Sequence, residues 1–271
     1  PSWQGLDHIG VIAPGKLADL AIIDGNLEDM KVTQVFLKGD LVAADGNLLI
    51  NLPAYQYPNS VKKSVKRAPI IAEDLMVPTD KTGKVSVNCI GLILDQNLSE
   101  AILTEMETDG GFVKPGLKAD LLPIAVVGRH GQSDIGKTFV QGFNMAHGAM
   151  AETVSHDTHN IIVVGTNYQD MTVAVNRVIE MQGGVVLAKE GQVIGDLPLR
   201  IGGLMTDELN AHDLTKKMAY LTQLANEELD CQAHAPFMHL AFLSLSTSPK
   251  WKVTDKGVID VVNYRILPTI N

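Results

Sequence analysis

The apolar run Ile161-Ile162-Val163-Val164-Gly165 follows directly on the polar phrase Ser155-His156-Asp157-Thr158-His159-Asn160. The run fits a core strand. Its mouth carries two imidazoles and a carboxylate within four residues. Ionisable groups crowded beside a buried strand are costly unless they are paired, bound to metal or used in chemistry. Leu121 to Val127 is a second continuous apolar run, consistent with a central strand covered on both faces. The chain must therefore bury a sheet and still satisfy the groups at its strand ends.

Punctuation along the chain predicts two parts. Short strands are expected at Ile9 to Ile12, Leu17 to Asp24, Val32 to Leu37 and Leu41 to Ala44. They lie around an Ala13-Pro14-Gly15-Lys16 turn and a Lys38-Gly39-Asp40 hairpin signal. Residues 1–55 read as a small all-β segment and residues 56–83, rich in proline and carrying Lys62, Lys63, Lys66 and Arg67, as a linker. Residues 84–271 read as a mixed α/β domain of sheet plus helices, so the overall class is α+β. Strands are expected at Val85 to Leu94, Ala101 to Met106, Leu121 to Val127, Ala149 to Val154, Asn160 to Gly165, Val185 to Ala188 and Gln192 to Leu197. One helix is capped by Asn167 and ended by Gly183-Gly184, and a second runs from about Asp213 to Leu229.

Composition narrows the function classes. Across 271 residues the net charge is −9, which disfavours a nucleic-acid partner. The basic cluster has no interleaved aromatic residues for base stacking. No apolar run reaches the roughly 18 residues of a membrane span. Cys89 and Cys231 form no CxxC pair, which fits a reducing cytoplasm rather than a disulfide scaffold. The chain opens at Pro1 rather than at methionine, as expected of a fragment or a processed product.

The candidate site is the SHDTHN phrase. His156, Asp157 and His159, with Ser155 and Asn160 beside them, form either an active-site-supporting loop or a satisfied polar loop bracing two strands. On a strand His156 and Asp157 would point to opposite faces, so a bend is needed to gather them. HxxH without further spaced ligands leaves a zinc site incomplete, so no metal is expected there. Arg129 and His130 follow the Leu121–Val127 run at a strand end, where functional groups collect, although a surface histidine near a turn fits equally. His147, His212, His234 and His239 have no supporting spacing. No nucleotide loop and no nucleophile elbow is present.

Two sets of motifs carry a resemblance. Gly10-Val11-Ile12-Ala13-Pro14-Gly15-Lys16-Leu17-Ala18-Asp19-Leu20-Ala21-Ile22-Ile23-Asp24 resembles the segment that follows the metal-binding barrel in the amidohydrolase superfamily and completes a small β-sandwich. The second set begins with Ile124 to Gly131, Gly142-Phe143, Ser155 to Asn167 and Ala174 to Arg177. It continues with Leu197-Pro198-Leu199, Gly202 to Met205 and Pro236-Phe237-Met238. In that order these blocks resemble the C-terminal domain of adenine deaminases. Gly128 departs from the pattern, which is expected to hold an acidic residue there.

The resemblance implies a cytoplasmic hydrolase of purine salvage. It would convert adenine and water to hypoxanthine and ammonia through a metal-bound hydroxide, with manganese, iron or zinc as the divalent metal. The superfamily's ligands start with an HxH pair on a barrel, and this sequence has no HxH. The expectation is a C-terminal part that lacks the N-terminal barrel, holds no metal or catalytic residue of its own, is inactive alone and belongs to a homo-oligomer. The alternative is a non-catalytic accessory or assembly domain.

Overall fold

The computed structural model describes residues 2–26 and 28–271. Pro1 and Leu27, inside the expected 1–55 segment, lie outside the described residues. The chain divides into two compact units, Pro1–Gln56 and Tyr57–Asn271.

The first unit is an antiparallel sheet in the order β1 (Leu20–Asp24), β2 (Lys31–Leu37), β3 (Asp40–Ala44), β4 (Asn47–Leu48). Lys38 and Gly39 both have positive φ, 53° and 93°, as a two-residue hairpin of matching twist requires. The Asp19 carboxylate accepts from the Lys38 amide at 2.7 Å and holds that turn. Ile9 to Ile12, expected as a strand, is irregular, and regular pairing begins only at Leu20. Most of this unit's side chains are exposed, so the short run lacks a core to pull it into register.

The second unit opens with two single-turn helices, α1 (Asn59–Lys62) and α2 (Ala72–Leu75). Next come β5 (Lys84–Leu92), β6 (Ser99–Asp109), β7 (Phe112–Val113), β8 (Leu122–Val127), β9 (Ile135–Gln141), β10 (Ala149–Glu152) and β11 (Ile161–Gly165). Helix α3 (Tyr168–Glu180), β12 (Gly184–Lys189), β13 (Gln192–Pro198), α4 (Ala211–Glu228) and α5 (Pro236–Phe242) follow. The chain closes with β14 (Trp251–Thr254), β15 (Gly257–Asp260) and β16 (Arg265–Leu267). One nine-stranded sheet has the order β13-β12-β10-β11-β8-β9-β5-β6-β7, and β14-β15-β16 form a second. All pairs are antiparallel except β5 with β9.

The period of two decides which residues meet which helix. Ala125, Val127, Ala151, Ile161, Val163 and Val186 pack against α3. Their neighbours Ile124, Val126, Met150, Ile162, Val164 and Val185 pack against α4, α5 and β14 on the other face. Doubly covered strands explain why β8 and β11 read as unbroken apolar runs. Asn167 caps α3 through its Oδ1, which accepts from the Asp170 amide at 2.8 Å. At the helix end, Gly184 has φ 137°, and a Cβ there would lie 2.0 Å from the Leu197 carbonyl oxygen.

Residues 57–83 do not behave as the expected linker. Val65, Ile70 and Leu75 are buried against the α3 side of the sheet. The Ile70 amide donates to Asn176 Oδ1 at 2.9 Å, and Asn176 Nδ2 donates to the Ile70 carbonyl at 3.0 Å. The prolines that suggested a linker instead accompany an extended strap, since its backbone is satisfied by helix side chains. Lys62, expected to be merely solvated, forms an ion pair with Asp207 at 2.6 Å. Among the described residues no helix is long and apolar enough to cross a membrane.

Candidate functional site

The register brings several loops to one end of the large sheet. Val127 ends β8 opposite Ile161 at the start of β11. Glu152 ends β10 opposite Ile162 on one side and Val185 of β12 on the other. The loops 128–134 and 153–160 therefore emerge side by side, which places Arg129 and His130 beside the SHDTHN phrase.

The phrase turns at residues 156–158, between the two strands. The His159 amide donates to the Ser155 carbonyl at 2.7 Å and closes it, with His159 at φ 51°. Its two ends are anchored. Ser155 is buried and its hydroxyl shares a 2.9 Å hydrogen bond with that of Ser244. Asn160 is buried, and its Oδ1 accepts from the Arg129 amide at 3.1 Å and from Gln132 Nε2 at 3.2 Å. Its Nδ2 donates to Asp255 Oδ1 at 3.2 Å, tying the loop to the β14–β15 turn.

Arg129 is 2% exposed and works as the main brace. Its guanidinium donates to the His159 carbonyl, to Ser64 Oγ at 3.0 Å and to the Gly202 carbonyl at 2.8 Å. Among the described residues no carboxylate pairs with it. Burial lowers its pKa from the ordinary value. Gly203, at φ 76°, leaves room for the guanidinium, since a Cβ there would stand 3.0 Å from its central carbon. At Gly128, where an acid was expected, a Cβ would lie 2.5 Å from Gln132 Cγ. The Gln132 side chain occupies that space and hydrogen-bonds Asn160, so a local amide contact stands there.

Between the anchors the middle of the turn is accessible. Asp157 and Thr158 are exposed, and His156 and His159 are half-buried. The two imidazoles meet edge to face with centroids 5.6 Å apart, and His156 also stacks on Phe242 at 5.5 Å. Exposed His130 donates from Nε2 to the Thr158 carbonyl at 2.8 Å. Burial first, then His156 and Arg129, hold the His159 pKa below the ordinary histidine value, while Asp157 opposes them. His159 Nδ1 is buried without a hydrogen-bond partner. The loop thus sets the His159 imidazole, its pKa lowered, beside a second imidazole and an exposed carboxylate. Among the described residues, the ligand atoms of His156, Asp157 and His159 do not all lie within 4.8 Å of one another.

Sequence reasoning passed over Glu152. Alternation along β10 puts it on the same face as Met150, inside an apolar run, and that position was the available signal. Glu152 is 2% exposed, its Oε1 has no hydrogen-bond partner, and burial raises its pKa well above the ordinary carboxylate value. It lines a cavity of about 240 Å³ together with His156, Val185, Leu199, Phe237 and Met238. The cavity therefore runs from a buried carboxyl to one imidazole of the turn.

Residues 96–265 match the family described as the adenine deaminase C-terminal domain. The chain is 54% identical over 270 residues to adenine deaminase 1 of Carboxydothermus hydrogenoformans, covering 99% of this chain and 44% of that protein. It is 41% identical over 267 residues to the adenine deaminase of Desulforamulus reducens, covering 98% and 45%. It is 35% identical over 268 residues to that of Staphylothermus marinus, covering 98% and 44%. The chain thus spans less than half the length of these relatives, and it belongs to the adenine deaminase C-terminal domain family.

Proposed function

We propose that this chain serves as the C-terminal part of an adenine deaminase, a cytoplasmic purine-salvage hydrolase that converts adenine and water to hypoxanthine and ammonia. The observation that carries the reading is the SHDTHN turn of a family member, buried at both ends and accessible in the middle. Rigid anchoring with exposed proton-transfer groups is what an active-site-supporting loop requires. Ser155, Asn160 and Arg129 position it. In this reading His156, Asp157 and His159, with His130 beside them, bind the purine or support the active site that acts on it. A divalent metal, manganese, iron or zinc, would activate the water and would be held outside this turn. The chain alone does not turn over adenine, and the working enzyme is a homo-oligomer. The two buried free cysteines fit a reducing compartment.

A second reading, a non-catalytic accessory or assembly domain, draws on the hydrogen bonds of the same anchors, which would serve a purely structural loop as well. His156→Ala in the full-length enzyme separates the two. On the first reading turnover falls by about 10²-fold or more, the range of a general acid–base group, while the melting temperature is nearly unchanged. Full turnover per folded molecule would overturn it in favour of the second.

A further inference from the structure

A second cluster of ligating side chains shares no residue with the SHDTHN turn, and its members come from three segments. Asp95 sits in the connection between β5 and β6 with φ 63°. His234 lies in the link between α4 and α5, and His239 is on α5 itself. One ligating atom from each falls within 4.8 Å of the other two. His234 Nε2 is 2.9 Å from Asp95 Oδ1, and the two imidazole rings meet edge to face at 5.7 Å and 88°.

Exposed Asp–His pairs are common and need no ligand. The third member makes this one different. His239 is 4% exposed, and its Nε2 is buried without a hydrogen-bond partner. Leaving a buried polar group unpaired costs about 1–3 kcal/mol, so a native structure normally supplies a partner. Apolar Phe237 and Leu240 on the same short helix supply none.

We propose that Asp95, His234 and His239 form a binding site for a divalent cation of the zinc type, completed by water. Two imidazoles and one carboxylate suit zinc, cobalt(II) or nickel(II) better than magnesium or calcium, which prefer all-oxygen sites. Three protein ligands leave one tetrahedral position open. Side chains of Asp95 and His234 are 68% and 66% exposed, so both can rotate to close the spacing around the buried imidazole. Bound there, the ion would pin the β5–β6 turn to α5. The site is independent of the deaminase reading, because none of its residues belongs to the SHDTHN turn.

The test uses the 271-residue chain, stripped with a chelator and titrated with zinc against a competing chromophoric chelator. One equivalent of tight binding is expected, with cobalt(II) giving visible absorption bands of a histidine-ligated site. Loss of an outer-shell partner alone costs a metal site about 10–100-fold in affinity, so His234→Ala, Asp95→Ala and His239→Ala should each weaken binding at least that much. The first two change exposed side chains and keep the fold testable should His239→Ala fail to fold. His212→Ala, on α4, should bind as the parent does. Zinc should raise the melting temperature of the parent chain and not of His234→Ala, while magnesium should not. Equal zinc affinity in the parent, His234→Ala and Asp95→Ala would overturn the proposal, as would stabilisation by magnesium equal to that by zinc.

Discussion

At the scale of single residues, the domain keeps several polar groups buried without a counter-charge. Lys252 is buried, its Nζ donates to the Asn97 carbonyl at 2.7 Å, and burial pulls its pKa down to about 8. Glu152 is the more exacting case because its Oε1 has no partner at all. A buried carboxyl with its folded pKa raised binds a proton over a range where the unfolded chain has lost it. Its contribution to stability is full below the unfolded value and is lost as pH rises through the folded value. Glu152→Leu should therefore stabilise the chain at pH 8 by about 1–3 kcal/mol, the usual cost of an unpaired buried group. The gain should shrink towards pH 4, where the parent carboxyl is protonated in both states. Urea unfolding at the two pH values checks this, and a pH-independent difference would show that burial does not raise the Glu152 pKa in the folded chain.

At the scale of elements, what could be read depended on the reach of the stabilising contacts. Helix α3 was legible because its cap, stripe and terminating glycines are all local. Its cap yields a direct test: Asn167→Ala removes the bond to the Asp170 amide. It should cost about 1 kcal/mol in chemical unfolding, and no loss would mean that water replaces the cap. Strands β8 and β11 were legible because both faces are covered. Helix α5 was not, since seven residues give two turns at most and no usable periodicity. Strands β14 to β16 were missed for a related reason. They are three or four residues long and are held by close packing: a Cβ at Gly136 of β9 would lie 1.8 Å from the Thr254 carbonyl oxygen. The strap 57–83 was misread because its anchors, Gln182, Asn176 and Arg129, lie far along the chain. The candidate site divides the same way. The SHDTHN phrase was visible as a density of ionisable groups. Glu152 and the meeting of Asp95 with His234 and His239 depend on register and on α4–α5 geometry, which spacing alone does not convey.

At the scale of the whole molecule, the two units differ in how they meet the cost of ordering a chain. Tyr57–Asn271 covers its large sheet on both faces, with α3 on one side and α4, α5 and β14 on the other. Pro1–Gln56 forms one four-stranded sheet whose Ile22, Ile23, Val32, Leu37, Leu41 and Leu48 are all exposed. Its outer strands β1 and β4 have free edges within that sheet. Exposed apolar side chains next to open edges favour pairing with another chain. Residues 57–271 expressed alone should therefore unfold in one cooperative transition with a midpoint close to that of the same unit in the full chain. The full chain should self-associate with rising concentration, and the truncated chain should do so less. Light scattering across a concentration series, run beside thermal unfolding, reads both. A monodisperse monomer for the full chain, unchanged on deletion of residues 1–56, would show that the exposed strands are stable in water as they stand. A truncated chain that no longer unfolds cooperatively would show instead that the large sheet depends on the first unit.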